Sequence, residues 1–239
     1  MYDLTKFEHG LSELNICLSD EQKSQFIKYY EMLVEKNKVM NLTAITEFDE
    51  VIEKHFLDSL ALSTIMDLHQ SLYVLDIGTG AGFPGIPLKI AFPELNIVLM
   101  DSLQKRVKFL QEVIDELGFT DIQAIHGRAE ETGRNKLYRE QFDLCVSRAV
   151  ANITTLSEYC LPFVKEGGRF ISYKSSSIDE ELEEGKKGIF LLGGKVSDLH
   201  KFQLPDSDLQ RSFVVIDKVK KTPKAYPRKA GTPSKDPLR

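Results

Sequence analysis

The sequence predicts an α/β protein with a Rossmann-like, mostly parallel sheet, and three observations support this prediction. Leu72–Ile77 is a short apolar run, typical of a strand buried on both faces. Four closely spaced glycines follow, and Ile86–Phe92 has the composition of a short helix, so the order is strand, glycine turn and helix. Near the carboxyl terminus, Lys195–Gln203 and Arg211–Lys220 alternate between polar and apolar residues, which predicts an antiparallel hairpin at the sheet edge.

The glycine turn matches two ligand-binding patterns. Residues 76–85 read D-I-G-T-G-A-G-F-P-G. The last six fit the dinucleotide pattern G-x-G-x-x-G, and the first seven fit the acidic-x-G-x-G-x-G pattern used for S-adenosyl-L-methionine (SAM). We favour SAM, because an acid at Asp76 would lie near the cationic amino-acid part of SAM and would repel a pyrophosphate. Phe83 also adds bulk where a dinucleotide loop needs open N–H groups, although a purely structural glycine turn remains an alternative.

Residues 1–70 are predicted to form a helical extension before this unit. Ser19–Gln22 fits a capping box, and apolar residues at helical spacing follow it. Two further helices are predicted at about Glu47–His55 and Phe56–Leu68.

The segment H-F-L-D-S at the junction of these two helices carries three polar candidates. His55, Asp58 and Ser59 lie on neighbouring helix faces by their i, i+3 and i+4 spacing. They either line a substrate entrance or form an ordinary helix surface with a local hydrogen bond, and the spacing alone favours the second interpretation.

Two more buried strands are predicted to end beside the glycine turn. Asn96–Met100 ends at Asp101, where a carboxylate holds the ribose hydroxyls of a Rossmann ligand. SAM and NAD both carry this ribose, so Asp101 supports the fold and not the choice of cofactor. Ile122–Ile125 leads into a loop that contacts adenine in this class of protein, with Ala129 against the ring and either the backbone or Glu130 near the exocyclic amine. A surface loop that opens a helix is an equal alternative.

The fourth predicted strand, Phe142–Val146, ends in S-R-A-V at the sheet crevice, next to the reacting methyl group. Neither the [D/N]-P-P-[Y/F/W] motif of exocyclic-amine methyltransferases nor the Pro-Cys nucleophile of cytosine-C5 enzymes is present, and the cation Arg148 occupies the position. A helix is predicted at Thr154–Val164. A fifth strand at Arg169–Tyr173 follows a Gly-Gly turn and ends at Lys174.

Composition limits the classes of function. The 239 residues are 42% hydrophobic with a formal net charge of −5, and no apolar run approaches the roughly 20 residues of a membrane span. The polar amino terminus predicts no signal peptide, and three scattered cysteines without C-x-x-C predict no structural metal site. We therefore expect a cytoplasmic protein without membrane or metal partners.

Positive charge is concentrated at the carboxyl terminus, although the chain as a whole is negatively charged. Between Lys218 and Arg239 there are eight basic residues and one acid, together with four prolines. We divide the chain into the extension at 1–70, a Rossmann-like domain at 71–221 and a basic tail at 222–239. A charge run of this kind is usually a solvated tail.

Several motifs together resemble one family. In chain order they are N-L-T at 41–43, H-F-L-D-S at 55–59, D-I-G-T-G-A-G-F-P-G-I-P at 76–87, D-S at 101–102 with K-R at 105–106, G-R-A-E at 127–130, S-R-A at 147–149, and R-K-x-G-T-P-x-K-x-P-L at 228–238. Over nearly its full length, the sequence closely resembles the bacterial 16S rRNA guanine-N7 methyltransferase family (RsmG, also called glucose-inhibited division protein B). G-x-G-x-G alone is a weak signal, whereas G-A-G-F-P-G-I-P with S-R-A and the tail motif is specific.

The resemblance implies a class I SAM-dependent methyltransferase fold: an α/β protein with a seven-stranded, mostly parallel sheet, a C-terminal antiparallel hairpin and an N-terminal helical extension. It implies SAM as cofactor, and N7 of a guanine in the decoding-region loop of 16S rRNA as acceptor. The partner would be 16S rRNA or the small ribosomal subunit. The cofactor-binding residues implied by the motifs are Gly78, Gly80, Phe83, Asp101, Ala129, Glu130 and Arg148.

No catalytic residue is certain, because guanine N7 has a lone pair and no proton to lose. Candidates for positioning the base are Arg148, His55, Asp58, Ser59, Lys174 and Arg228. Predicted contacts with rRNA phosphates are Lys221, Lys224, Arg228, Lys229, Lys235 and Arg239. We expect deletion of Thr222–Arg239 to weaken RNA binding and to spare SAM binding.

Three other functions remain compatible with the sequence. An NAD-dependent oxidoreductase would use the same glycine turn and Asp101, but the sequence shows no convincing catalytic Tyr/Lys or His/Arg set. A non-catalytic RNA-binding module is disfavoured by the intact glycine turn. A SAM methyltransferase acting on a small molecule or a protein is opposed only by the tail and by the resemblance.

Overall fold

Seven strands form one sheet in the computed structural model, which describes residues 2–239, so Met1 of the predicted extension lies outside the described residues. The strands are β1 Tyr73–Ile77, β2 Asn96–Asp101, β3 Ile122–His126, β4 Phe142–Arg148, β5 Val164–Ser175, β6 Gly194–Gln203 and β7 Gln210–Lys218. Their order is β3-β2-β1-β4-β5-β7-β6, and only the pairs that involve β7 are antiparallel. The order reverses between β1 and β4, so their carboxyl ends form the crevice where ligands of such sheets bind.

Helices cover both faces of this sheet. The α-helices are α1 Thr5–Glu13, α2 Asp20–Met40, α3 Phe48–Val51, α4 Asp58–Leu60, α5 Gly85–Ala91, α6 Gln104–Glu116, α7 Ala129–Thr132, α8 Ile153–Cys160, α9 Asp179–Leu191 and α10 Thr232–Lys235. The capping box expected at the start of α2 is present, with Gln22 N–H donating to the Ser19 hydroxyl and Ser19 N–H donating to the Gln22 side chain. Two orphan donors at this helix end are therefore satisfied.

The N-terminal helices share a hydrophobic core with the sheet. Phe26 and Tyr29 of α2 belong to the same buried cluster as Val74 of β1. The hydroxyl of Tyr29 donates to the carbonyl of Ala81 in the glycine turn at 2.7 Å. The next residue of β1, Leu75, faces the opposite side and packs with α8 and α9, as alternation along a strand requires. The extension thus supports the glycine turn from behind.

The predicted break between two helices near Phe56 is wrong. The segment from Phe48 to Thr64 is continuously helical, with a π-helical turn at Ile52–Leu57 and a 3₁₀ turn at Ala61–Thr64. Val51, Ile52 and Phe56 are all buried, because the wider turn keeps these apolar residues against the core. The π turn also changes which polar residues share a face.

The boundary between α8 and β5 also differs from the sequence prediction. The predicted helix at Thr154–Val164 ends at Cys160, and a 3₁₀ turn at Leu161–Phe163 leads straight into β5. The strand therefore begins before the Gly-Gly pair that was expected to precede it. Gly168 lies so close to the carbonyl of Asp143 that a side chain there would collide with it. These glycines permit a register shift between β4 and β5 instead of a turn.

Within residues 2–239, none of the helices combines the length and the apolar character that a bilayer crossing requires.

Candidate functional site

The first cavity, which we name the glycine-turn cavity, has a volume of about 250 Å³. It lies at the carboxyl ends of β1, β2 and β3 and is lined by Ile77, Gly78, Met100, Ser102, Gly127, Arg128, Ala129, Glu130, Val150 and Tyr159. Three of the predicted cofactor residues, Gly78, Ala129 and Glu130, are therefore brought together. Gly78 has φ = 69°, and a Cβ there would collide with the side chain of Val150. Only glycine fits this position without strain.

Asp76 does not line this cavity, contrary to the expectation that it faces a cationic ligand. Its side chain is fully buried, and one carboxylate oxygen accepts hydrogen bonds from the hydroxyl of Thr79 at 2.6 Å and from Gly85 N–H at 2.9 Å. Burial raises the pKa of Asp76 to about 7, while these two hydrogen bonds act in the opposite direction. The carboxyl group therefore fixes the turn and the start of α5.

Asp101 holds the other side of the glycine turn. Its Oδ2 accepts from Gly80 N–H at 3.0 Å and from the guanidinium of Arg106 at 3.3 Å, while its Oδ1 accepts from Leu103 N–H at 2.8 Å. The residue is only 2% exposed. In the structure, Asp101 and Gly80 thus position each other beside the cavity and do not line it.

A second, larger cavity opens between the extension and the sheet, and we name it the arginine cavity. Its volume is about 470 Å³, and its lining residues are Ile45, Lys54, His55, Asp58, Arg148, Ala149, Tyr173, Lys174, Ser175, Phe202, Arg211, Ser212 and Phe213. Four of the base-positioning candidates are among them. They come from the π-helical turn, α4, β4 and β5, so the fold assembles residues that are far apart in sequence.

Asp58 bridges two arginines at the wall of the arginine cavity. Arg148 Nη1 donates to Asp58 Oδ2 at 2.6 Å, and Arg211 Nε donates to Asp58 Oδ1 at 3.2 Å. Asp58 is 4% exposed, so this group is largely shielded from water. Among the described residues that line the cavity, Asp58 supplies the only carboxylate. Four lining residues are cations, of which Arg148 and Arg211 share Asp58, while Lys54 and Lys174 pair with Glu50 and Glu181 outside the lining.

Arg148 is held from several directions. Besides Asp58, Nη1 donates to the carbonyl of Lys54 at 3.0 Å, and Nη2 lies 3.3 Å from His55 Nδ1. Its guanidinium carbon lies 5.0 Å from the ring centroid of Phe83. This residue therefore lines the arginine cavity and not the glycine-turn cavity, although the motif implies a contact with the cofactor.

His55 is a half-buried neutral histidine. Its ring stacks on Phe83 with centroids 4.4 Å apart, and Nε2 lies 2.9 Å from the hydroxyl of Thr43. Burial, aided by the positive charge of Arg148, lowers the pKa of His55 to about 3. Phe83, for which the resemblance implies a cofactor contact, packs between the extension and the glycine turn.

Ser59 does not reach the arginine cavity. It is fully buried, and its hydroxyl donates to the carbonyl of His55 at 2.5 Å, which is the local helical hydrogen bond that the sequence offered as the simpler interpretation. Lys174 does line the cavity, but its ammonium group already donates to the carbonyl of Ala151 at 2.7 Å and to Glu181 at 2.6 Å. Of these two candidates, only Lys174 can reach a base in the cavity, because Ser59 is buried outside it.

The segment S-R-A-V separates the two cavities. Arg148 and Ala149 line the arginine cavity, and the next residue, Val150, lines the glycine-turn cavity. Ala149 has φ = 57°, a conformation that residues with a Cβ rarely adopt. A strained residue at this point is typical of a functional crevice.

The basic C-terminal segment, 222–239, packs against the domain. Its exposed cations are Lys224, Lys229, Lys235 and Arg239, and Lys221 just before it is also exposed. Arg228 differs from them, because its guanidinium donates to the buried carboxylate of Glu158 at 2.8 Å. Gly231 N–H donates to Glu130 Oε1 at 2.9 Å, so the segment also touches a residue that lines the glycine-turn cavity. The expectation that deletion of this segment spares cofactor binding therefore lacks a structural basis, and Arg228 belongs to the docking of the segment.

Several lining residues were not singled out from the sequence. Arg211 and Phe213 enter the arginine cavity from β7, and Met100 and Tyr159 enter the glycine-turn cavity from β2 and α8. Arg211 opens one of the alternating segments, but its partner Asp58 lies 153 residues away. The order of the strands in the sheet brings Arg211 close to Asp58, and no local sequence pattern predicts this contact.

The residues around the glycine-turn cavity fit SAM chemically. Ile77, Met100 and Ala129 offer apolar surface for an adenine ring, and Glu130 offers a carboxylate beside it. Gly78 leaves room for close approach of a ligand to the backbone. In the part of the chain that the structure describes, no group of three or more His, Cys, Asp or Glu is arranged to hold a metal ion.

Sequence comparison points to one family. The family model described as GidB, rRNA small subunit methyltransferase G, matches residues 22–214. The chain is 54% identical to a "Ribosomal RNA small subunit methyltransferase G" of Lachnoclostridium phytofermentans, covering 100% of this chain and 98% of the relative. It is also 54% identical to the protein of the same name from Desulforamulus reducens, covering all of both chains.

Structural comparison agrees at the level of the fold. A chain from the complex between the Haloferax volcanii Trm112 methyltransferase activator and the putative methyltransferase superposes with a TM-score of 0.58. The two share 12% identity, and the match covers 80% of this chain and 98% of the other. The seven-stranded sheet with its antiparallel edge is therefore the class I methyltransferase fold, as the sequence predicted.

Proposed function

The chain belongs to the rRNA small subunit methyltransferase G family, and from this premise we propose that it transfers a methyl group from SAM to N7 of one guanine in 16S rRNA. One observation carries the proposal for the site: two cavities meet on either side of the single segment Arg148–Val150. The glycine-turn cavity is proposed to hold the cofactor, and the arginine cavity to receive the acceptor base.

When bound, SAM supplies an activated methyl group on its sulfonium. Guanine N7 carries a free lone pair and no proton, so the acceptor needs no general base. Catalysis then depends mainly on holding the acceptor atom in line with the methyl group. A neutral His55 with a pKa of about 3 agrees with this chemistry, because neither a proton acceptor nor an additional cation is required there.

Methylation at N7 makes the guanine ring cationic. In the arginine cavity, Arg148 and Arg211 are both bound to the carboxylate of Asp58. We propose that Asp58 offsets their charge, so that the wall beside the acceptor repels the developing cation less than two free arginines would. The guanidinium groups retain donors suited to the guanine O6 edge or to a phosphate.

The exposed cations Lys221, Lys224, Lys229, Lys235 and Arg239 are proposed to contact rRNA phosphates. Contacts of this type release counterions and make affinity depend on salt. The chain as a whole carries a formal net charge of −5, so the basic C-terminal segment is where such contacts concentrate. The label-transfer experiment described next also decides whether the acceptor is free 16S rRNA or the assembled small subunit.

The test is a label-transfer experiment with the full chain and [methyl-³H]SAM. Small ribosomal subunits and purified 16S rRNA, both from a strain that lacks this gene, would be offered in parallel with total protein and small-molecule extracts of the same strain. We expect label in 16S rRNA at a single guanine. Label in the protein or small-molecule fraction, with none in either RNA, would contradict the proposal.

A further inference from the structure

The first residues of the C-terminal segment 222–239 are hydrogen-bonded to the loop after α7. The guanidinium of Arg139 donates to the carbonyl of Thr222 at 2.7 Å and to that of Tyr226 at 2.8 Å. Thr222 N–H donates in turn to Glu140 Oε1 at 2.7 Å. Pro227 is buried immediately afterwards. The first part of the segment thus has its backbone polar groups satisfied by the domain.

The middle of the segment is anchored to α8 by an ion pair whose carboxylate is buried. Arg228 Nη2 lies 2.8 Å from Glu158 Oε2, and Arg228 Nε lies 3.1 Å from both carboxylate oxygens. Arg228 N–H adds a backbone hydrogen bond to Oε1 at 2.6 Å. Glu158 is completely buried, so it depends on Arg228 for neutralisation.

Three residues further on, the segment contacts the wall of the glycine-turn cavity. Gly231 N–H donates to Glu130 Oε1 at 2.9 Å, and Glu130 lines that cavity. The hydroxyl of Thr155 on α8 donates to the carbonyl of Pro233 at 3.2 Å. The same helix supplies Tyr159 to the cavity wall. The C-terminal segment therefore contacts one lining residue, Glu130, directly and holds the helix that carries a second, Tyr159.

We propose that the docked C-terminal segment is part of the cofactor site, with Gly231 and Arg228 as positioning residues. Gly231 fixes the Glu130 carboxylate, and Arg228 fixes α8 with Tyr159. Cofactor binding in the glycine-turn cavity and docking of the segment consequently favour each other, and this linkage is reciprocal. The inference rests on the proposed function in assigning SAM to this cavity.

The first arm of the test is titration of SAM into the full-length protein. We expect Arg228→Met to weaken SAM binding by at least about five-fold, the lower end of typical coupling between sites. Arg169→Met is the matched control, because Arg169 forms an exposed ion pair with Asp217 on β7 and touches neither cavity. SAM affinity of this control should equal that of the wild type.

A double-mutant cycle separates positioning from general weakening of the fold. If Arg228 acts through Tyr159 on α8, then Arg228→Met should cost less SAM affinity in a Tyr159→Ala background than in the wild type. Fully additive losses would show that the two residues act independently and would overturn the inference. Wild-type protein that binds no SAM would instead refute the proposed function.

Hydrogen exchange of the wild type keeps the inference testable even if the variants fold poorly. Saturating SAM should slow exchange of the amides in 222–239, and of Gly231 above all, relative to the protein without SAM. Amides of β6, at the far edge of the sheet, serve as the internal reference. Unchanged exchange at Gly231, in protein shown to bind SAM, would overturn the inference.

Discussion

Arg228 and Glu158 form an ion pair across 70 positions of sequence, with the carboxylate completely buried on α8. Removing one partner of a buried pair leaves an uncompensated charge, which typically costs about 3–5 kcal/mol. We expect Arg228→Met to lower the free energy of unfolding by roughly this amount, measured by urea denaturation. The double variant Arg228→Met/Glu158→Met should recover most of the loss, because no charge is left buried. A double variant no more stable than the single one would contradict this reading.

Gly78 and Gly118 offer a matched pair for testing the glycine-turn cavity. Both have positive φ, but a Cβ at Gly78 would collide with Val150, whereas a Cβ at Gly118 meets nothing within 4 Å. Both alanine variants should lose about 1–2 kcal/mol of stability from the backbone conformation. Only Gly78→Ala should also weaken SAM binding, by about ten-fold or more, since overpacking costs about 1–3 kcal/mol. Equal SAM affinities of the two variants would place the cofactor elsewhere.

His55 should make the protein less stable in acid. Its pKa is lowered from the usual 6.5 to about 3, so below pH 6.5 the unfolded chain takes up a proton that the folded protein refuses. This contribution is complete above pH 6.5 and is lost as the pH falls towards 3, by about 1.4 kcal/mol per unit. His55→Gln should flatten the fall in unfolding free energy between pH 6.5 and 4.5. An unchanged slope would mean that His55 titrates normally.

Asp76 should show the opposite dependence on pH. Burial raises its pKa to about 7, so between its usual value near 3.8 and pH 7 the folded protein keeps a proton that the unfolded chain has lost. Its contribution is complete at low pH and is lost as the pH rises through 7. The stability of Asp76→Asn relative to the wild type should therefore increase from pH 5 to pH 8. A constant difference across this range would show that Asp76 is charged throughout.

The lysines of the C-terminal segment should act on RNA and not on SAM. Replacing Lys224, Lys229 and Lys235 by alanine removes exposed cations while leaving the Arg228 and Gly231 contacts in place. We expect weaker binding of 16S rRNA and a shallower dependence of log affinity on log salt, by about 0.7–0.9 for each lost phosphate contact. SAM affinity should stay unchanged in the same preparation. An unaltered salt dependence would remove these lysines from the interface.

The sequence predicted the sheet because its signals are local. Each strand has its own signal in the sequence. Apolar runs indicate β1 to β5, and the two alternating segments indicate β6 and β7. The continuous helix from Phe48 to Thr64 was missed, because a π turn has no signature in hydrophobic periodicity. The early start of β5 was missed because a Gly-Gly pair predicts a turn unless the neighbouring strand, here near Asp143, is known to approach closely.

Only part of the candidate site could be predicted, because local motifs identify single residues but not the pairs that tertiary packing forms. Gly78, Ala129 and Glu130 sit on strand-end motifs, and the fold brings all three around one cavity, while their contact with the cofactor stays a prediction. The pairing of Asp58 with Arg211 and that of Glu158 with Arg228 depend on which elements pack together, so motif reading did not find them. For the same reason, a basic segment that the sequence predicts to be solvated is docked against the domain and contacts Glu130, which lines the glycine-turn cavity.

The most direct test of the central claim is chemical mapping of the methylated atom. Guanosine methylated at N7 becomes sensitive to strand scission by aniline after borohydride reduction, whereas methylation at the exocyclic amine or the ribose does not produce this sensitivity. 16S rRNA or small subunits from a strain lacking this gene would be incubated with SAM and the protein, then reduced, cleaved and mapped. We expect one new cleavage, at a guanine of the decoding-region loop, and a weaker cleavage with Gly78→Ala when SAM is limiting. Methyl incorporation into the RNA without any new cleavage would contradict the claim.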